Sequence, residues 1–519
     1  MATTKKKSKS TDNKNYSIGE KIISNATYLF FDWFALAFFS FLFWFILGKT
    51  LSPSELGITS TSLNFIIFIT GFSTLGVGVA LQKLLPEIKE KNGINSVFSF
   101  VKLSIKPIFF SLLILLIFFL IFSQHLSNFI KMPNNVFLVT AVSSIIVSLY
   151  YFFGSTLYGI QNMKLYFLTD FLQVILKVVL AVLFVFINFS YFGAIIGFSL
   201  SHLLILFPRL NLKYFTSKTK GSYKKLFSFA FPALIYGLSF NIISNGSYII
   251  LTILKNTEVT GLFTIAFTIT STISVLTHLP NYALFPIVSG LSVNRKNKRK
   301  QGYLIGLVLR YSFFVMFPLS ILLFIFSNQT VILFSKPEFL PSTKYFPFLV
   351  PAAMFSGFGA IFCSNLYAIG KPKIYRNVML ISAFSFLVSS LILTTYLSAI
   401  GLSLSYLIAM VVYFLLNFIY IRKYLKIVYF IKDIFKIVSA SFIITLIFII
   451  LKPLIHNFLA IIIFVIPIGL LYLFLLLQMK FYRKEEIIIL KFFGKKFPIL
   501  GRFIIIIAEF IEKRIIQNN

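Results

Sequence analysis

Three cations interrupt long apolar runs, and they have the most chemistry to offer. Lys177 lies near the middle of DFLQVILKVVLAVLFVFINF, Arg310 within GYLIGLVLRYSFFVMFP, and Lys106 within FVKLSIKPIFF. A cation at the centre of a bilayer costs about 2.5–3.5 kcal/mol on insertion scales, so each needs a wet cavity, a counter-ion or a route to the interface. Lys177 is twelve residues past Leu165. At 1.5 Å per residue that is roughly 18 Å along a helix, past the midplane of a hydrocarbon core about 30 Å thick. A lysine side chain reaches only about 6 Å towards the interface. Lys177 is therefore expected to face a wet cavity or a counter-ion. Arg310, roughly 12 Å beyond Gly302, and Lys106, about as deep, leave snorkelling open as a second reading.

Other polar groups could join them. Asp32 in YLFFDWFALAFF could pair with a cavity cation, bind a coupling ion or orient hydroxyls; an ion pair needed only for folding is equally open. Asp170 shares a helix face with Lys177 at i+7, too far for contact, and reads as interfacial. Asn241 and Asn245 lie at i and i+4, where paired amides suit either sugar hydroxyls or interhelical hydrogen bonds. His202 and His278 stand alone. No metal-ligand spacing and no phosphate loop of the GxxxxGK[ST] type occurs, so neither a metal, a cofactor nor ATP hydrolysis is expected. No catalytic residue is nominated.

The elements that must position these groups are membrane helices. The 519 residues are 58% hydrophobic, well above the apolar share of about 45–50% in soluble domains. A spanning helix needs about 20 mostly apolar residues, and fourteen such segments follow one another, the first near Ile22 and the last near Phe458. The net charge of +34 does not point to nucleic acid, because the basic residues sit in short clusters between apolar runs. With the N-terminus inside, 39 of the 48 Lys and Arg fall in cytoplasmic segments, and 6 in outer loops. That asymmetry predicts an even number of spans and cytoplasmic termini. Cys363 is the single cysteine, in an apolar run. No cleavable signal peptide is expected from the polar start MATTKKKSKSTDNKNYS. The tail after Lys480 mixes charged and apolar residues at helical spacing, as surface helices do.

The chain also resembles itself. LSPSELGITSTS from Leu51 is echoed by KNTEVTGLFTIA from Lys255, and LYGIQNMKLY near Gly159 by YAIGKPKIYRN near Gly370. The second echo is followed in each case by a span, a short turn with Gly193 or Gly401, and another span. The predicted fold is all-α and polytopic: two six-helix lobes as parallel repeats, residues 22–211 and 212–424, and two further helices in 425–480. A cytoplasmic tail, 1–21, precedes them and an amphipathic tail, 481–519, follows. Parallel repeats are a transporter signature, with the site between the halves.

The stretches GKTLSPSELGITSTSLNF, ILKNTEVTGLFTIAFTI and AIGKPKIYRNVMLISAFSFLVSSLILTTYLSAIGLSLSYLI carry a resemblance. In order and spacing they resemble polysaccharide transport proteins of the Wzx type, over roughly residues 17–424. That group belongs to the multidrug/oligosaccharidyl-lipid/polysaccharide (MOP) superfamily, with the lipid II flippase MurJ and the MATE exporters. The tail RKEEIIILKFFGKKFPILGR looks more like archaeal than bacterial members. The resemblance implies a MOP/MATE-like fold with fourteen spans in the cell membrane, and a flippase for an oligosaccharide linked to polyprenyl or dolichyl (di)phosphate. It further implies a central, often cationic cavity and no catalytic residues. Membrane lipids, H+ or Na+ as a coupling ion, and a monomeric state complete the expectation. Lys and Arg in such a cavity would replace part of a phosphate's hydration. Two alternatives remain: a MATE-like small-molecule exporter, which a cationic cavity disfavours, and a membrane enzyme polymerising or ligating lipid-linked sugars, for which the outer loop at 328–344 is short of charges.

Overall fold

A computed structural model describes residues 27–219, 221–292, 297–452 and 458–483, with residues 491, 505, 509 and 512 beyond them. Both expected tails, and the side chain of His278, lie largely or wholly outside the described residues. In the first half the helices are α1 (Thr27–Thr50), α2 (Pro53–Ser73), α3 (Val77–Ile130), α4 (Asn134–Gly159), α5 (Met163–Phe184), α6 (Ser190–Arg209) and the single turn α7 (Lys213–Thr216). The second half has α8 (Tyr223–Ser244), α9 (Gly246–Leu254), α10 (Thr257–Ser292), α11 (Lys298–Ile325), α12 (Ser327–Phe334), α13 (Phe346–Ala368) and α14 (Pro372–Tyr424). Two more follow, α15 (Ile431–Leu451) and α16 (Phe458–Gln478).

Among the described residues, eleven helical stretches are long and apolar enough to cross a membrane. Two of them, Met163–Arg209 and Pro372–Tyr424, are interrupted near the middle. Ser190 (φ 46°, ψ −136°) and Ser398 (φ 55°, ψ −139°) make the same non-helical bend, 208 residues apart. The glycine three residues later serves close approach rather than the turn itself. A Cβ on Gly193 would press into the Phe184 main chain, and one on Gly401 would overlap the Leu393 carbonyl.

The second echo is equally literal. Gln161 (φ 63°) and Gly370 (φ 78°) both occupy the left-handed region after a helix end. The N–H groups of Gln161 and Asn162 donate to Tyr158 O and Leu157 O, and those of Gly370 and Lys371 to Tyr367 O and Leu366 O. This is the paired C-terminal capping pattern that satisfies the last carbonyls of a helix.

The halves meet along α2 and α10. Ser52 caps α2 in a capping box with Glu55, and Pro53 opens the helix. Gly57 then lies against the Thr257 backbone, and Gly261 against the Pro53 backbone, so that a Cβ on either would overlap the facing carbonyl oxygen. Small residues at a helix crossing in lipid let backbones approach and van der Waals packing hold them. Hydroxyls extend the seam: Ser54 with Thr257 at 3.1 Å, Thr61 with Thr252 at 2.6 Å, and Thr264 with Ser60 at 2.8 Å. Lysines fasten the same end, the one to which the sequence assigns the outer loops. Lys49 Nζ donates to Ile332 O (2.7 Å), Lys336 Nζ to Thr50 O (2.7 Å) and Lys131 Nζ to Lys255 O (2.6 Å).

One buried cluster crosses the seam, with Phe43, Leu63 and Ile66 against Phe263, Ile269 and Phe362. The pair α15 and α16 packs separately on α11 through Ile437, Phe448, Ile468 and Tyr472.

Candidate functional site

Polar groups of the first half converge inside the helix bundle. On α5, Thr169, Asp170, Gln173 and Lys177 follow one another at helical spacing and share a face. Asp170 accepts a hydrogen bond from the Tyr150 hydroxyl (2.5 Å) and forms an ion pair with Arg209 Nη2. Arg209, in the last turn of α6, also donates to Tyr150 O and to Thr169 Oγ1, each at 3.1 Å, and stacks on the Tyr150 ring at 3.7 Å. Its room comes from Gly154, where a Cβ would overlap the guanidinium. One turn along α5, Gln173 Nε2 donates to Ser201 Oγ (3.2 Å) beside His202. A turn further, Lys177 Nζ donates to Ser40 Oγ of α1 (3.1 Å) and lies 5.2 Å from the Phe43 ring centroid.

Asp32, half-buried on α1, is close enough to Asp170 and Arg209 for all three charges to interact. The cluster thus holds two carboxylates, one guanidinium that engages Asp170, and an ammonium with no ion pair among the described residues. Chemically it can exchange a small cation or proton at the carboxylates and offer Lys177 to an anion. In this conformation Lys177 is covered, at 7% exposure, by α1.

The remaining nominated residues go elsewhere. Arg310 is buried but ion-paired, its Nε 2.8 Å from Asp433 Oδ2 and its Nη2 donating to Phe481 O at 2.6 Å. Arg483 (2.6 Å) and Lys436 (3.4 Å) converge on the same carboxylate. Arg310 therefore fastens α11 to α15 and to the segment after α16, rather than standing on an open cavity wall. Lys106 is exposed on α3, in one stripe with exposed Phe109, Phe110, Leu113 and Ile117. That is an outward apolar face, and it fits the snorkelling reading. Asn241 and Asn245 bond each other, Nδ2 to Oδ1 at 2.6 Å, where α8 gives way to α9, and Asn241 packs against Gly71 of α2. Asp170, read as interfacial, is instead the hub of the buried cluster.

Arg209, Tyr150 and Gln173 escape a sequence reading. Arg209 follows Pro208 at the end of an apolar run and is counted with the loop charges. The available signal is its opposite sign and equal depth to Asp170 across a predicted hairpin. Away from this cluster, a cleft of about 430 Å³ opens between α11, α13 and α15, lined by Phe317, Phe324, Met354, Phe442 and Ile449. It is apolar, not cationic. Among the described residues no three His, Cys, Asp or Glu gather as a metal site.

Comparison with known proteins fits this architecture. The chain is similar to the lipid II flippase MurJ in an inward closed conformation, with a TM-score of 0.66 and 18% identity over 87% of this chain and 98% of that one. It is similar to an inward-facing multidrug resistance MATE transporter of the MOP superfamily, with a TM-score of 0.62 and 14% identity over 75% and 94%. An uncharacterized membrane protein of Methanocaldococcus jannaschii is 22% identical over 423 residues, 75% of this chain and 82% of its own length. Residues 46–342 match the family described as polysaccharide biosynthesis protein. The chain therefore belongs to the polysaccharide biosynthesis protein family, as a multi-pass membrane protein with the fold shared by MurJ and the MATE transporters.

Proposed function

We propose that the protein is a flippase. It carries an oligosaccharide linked to a polyprenyl or dolichyl (di)phosphate from the cytoplasmic to the outer leaflet of the cell membrane, and performs no covalent chemistry. Fourteen spans, both termini in the cytoplasm, a monomer, and lobes at 22–211 and 212–424 that rock about the α2/α10 seam complete the reading. The observation that carries it is the buried ammonium of Lys177, with no carboxylate partner among the described residues, in a two-fold repeated fold of a polysaccharide biosynthesis family.

A lysine beyond the midplane whose company among the described residues is a hydroxyl and a ring is costly to hold. It becomes useful when an anion can reach it, and α1, which covers it, is the least enclosed span, with 11% of its apolar window buried. A swing of α1 exposes Lys177 to the substrate phosphate, while Asp32 and Asp170 hold a proton or Na+ that couples the movement. Lys177→Ala should block flipping with insertion intact, because removing a buried charge favours insertion. Lys177→Arg should retain part of the activity, since the charge survives in another shape. The measurement is lipid-linked oligosaccharide accumulating on the inner leaflet. Normal surface glycan with Lys177→Met would overturn the reading.

A further inference from the structure

The two halves repeat each other in backbone but not in charge. At a shift of 208 to 209 residues Lys177 corresponds to Phe386, Asp170 to Met379 and Arg209 to Asn417. Tyrosines, by contrast, are kept in both halves. The rings of Tyr158 and Tyr166 are 5.7 Å apart, and those of their counterparts Tyr367 and Tyr375 are 5.6 Å apart. The second half adds a third ring, Tyr236 of α8, stacked on Tyr375 at 4.3 Å with 28° between planes. Next to Tyr236 is Cys363, which contacts Tyr413 and Asn417. Asn365 and Asn417 are fully buried, and each has an amide oxygen without a hydrogen-bond partner among the described residues. Tyr367 is 51% exposed, and Tyr158 of the first half lies near it.

A ring serving only as an interfacial anchor sits at headgroup level facing lipid. Tyr236 instead stands thirteen residues into α8 and stacks across to another helix. The second half therefore presents phenol faces at the end of the bundle where α13 stops and α14 begins, with Asn365 and Asn417 buried; of the cations at that junction, Lys371 lies over the Tyr424 ring, Arg376 donates to Asn377, and Lys373 is exposed. Phenol rings combine an apolar face with a hydroxyl that donates and accepts. That matches a pyranose, with its apolar C–H face and its rim of hydroxyls.

We propose that Tyr236, Tyr367 and Tyr375 form a ledge that binds the neutral sugar portion of the substrate, while the charged groups of the first half take its phosphate. This assignment rests on the flippase reading and adds to it a division of the substrate between the lobes.

The test uses full-length protein carrying Trp33→Phe, Trp44→Phe and Tyr236→Trp, so that one indole reports on the ledge. The probe is the pool of neutral oligosaccharides released by mild acid from the polar lipids of the source cells. A saturable change in emission is expected, with affinity about tenfold weaker in Tyr375→Ala, the order of a lost aromatic contact, and preserved in Tyr375→Phe. Folded protein whose emission ignores the oligosaccharides, or answers them equally well in Tyr375→Ala, overturns the ledge and leaves the Lys177 assay standing. A response to tetraphenylphosphonium alone overturns the ledge and favours a cation exporter, which normal glycan in Lys177→Met cells would corroborate.

Discussion

At the residue scale, the Arg209–Asp170 pair, buried at the guanidinium and partly buried at the carboxylate, is the feature most exposed to mutation. Breaking a buried pair strands a charge and costs about 3–5 kcal/mol, whereas replacing both partners can be nearly neutral. Asp170→Asn should therefore destabilise the protein by about 3 kcal/mol, the low end, because Asp32 lies close by as a second carboxylate. The double variant Asp170→Asn with Arg209→Gln should recover part of that loss. Thermal unfolding of the detergent-purified protein measures both. A double variant less stable than either single would show that Arg209 acts through its ring and carbonyl contacts rather than through the pair. Lys177 was legible in the sequence because its depth leaves few ways to solvate it. Arg209 was not, because the same charge at a helix end is the ordinary topogenic signal.

At the element scale, α2 and α10 form a contact the chain wrote twice. The echo around Gly57 and Gly261 is visible in the sequence, but that these glycines face each other follows only from the packing. If the lobes part here when the substrate leaves, fixing the seam must stop transport. Ser54→Cys with Thr257→Cys, in a Cys363→Ser background, replaces a hydroxyl contact of 3.1 Å. Oxidation should cross-link the pair and halt glycan export, and reduction should restore it. Unchanged export by the cross-linked protein would show that this end does not open. Arg310 teaches the opposite lesson: its depth resembles that of a cavity cation, yet Asp433, 123 residues on, claims it. No local pattern announces a partner from a helix that distant.

At the scale of the whole molecule, the distribution of basic residues predicts which end of the bundle faces the cytoplasm. Cysteines at Asn135, at the start of α4, and at Glu338, both exposed at the end assigned outside, should react with an impermeant maleimide in intact cells. Cysteines at Lys218 and Lys298, also exposed, should react only after lysis. Ser342, on the same outer connection as Glu338, is fully buried and would give a false negative. Labelling of Lys298 in intact cells would invert the orientation.

The sequence by itself determined the class of solvent, the helical fold, the two-fold repeat and the places where a charge had to be explained. Each of these depends on composition and spacing along one chain: an apolar run of about 20 residues can satisfy its backbone in lipid only as a helix, and a repeated turn writes the same residues at the same offset. Tertiary structure decided which buried charges are neutralised. Asp170 finds Arg209, Arg310 finds Asp433, and among the described residues Lys177 finds Ser40 and Phe43 but no carboxylate. Charge pairing acts over a few ångströms in space between residues far apart in the chain, so only the packed helices could separate the two paired cations from the one with no carboxylate beside it among the described residues.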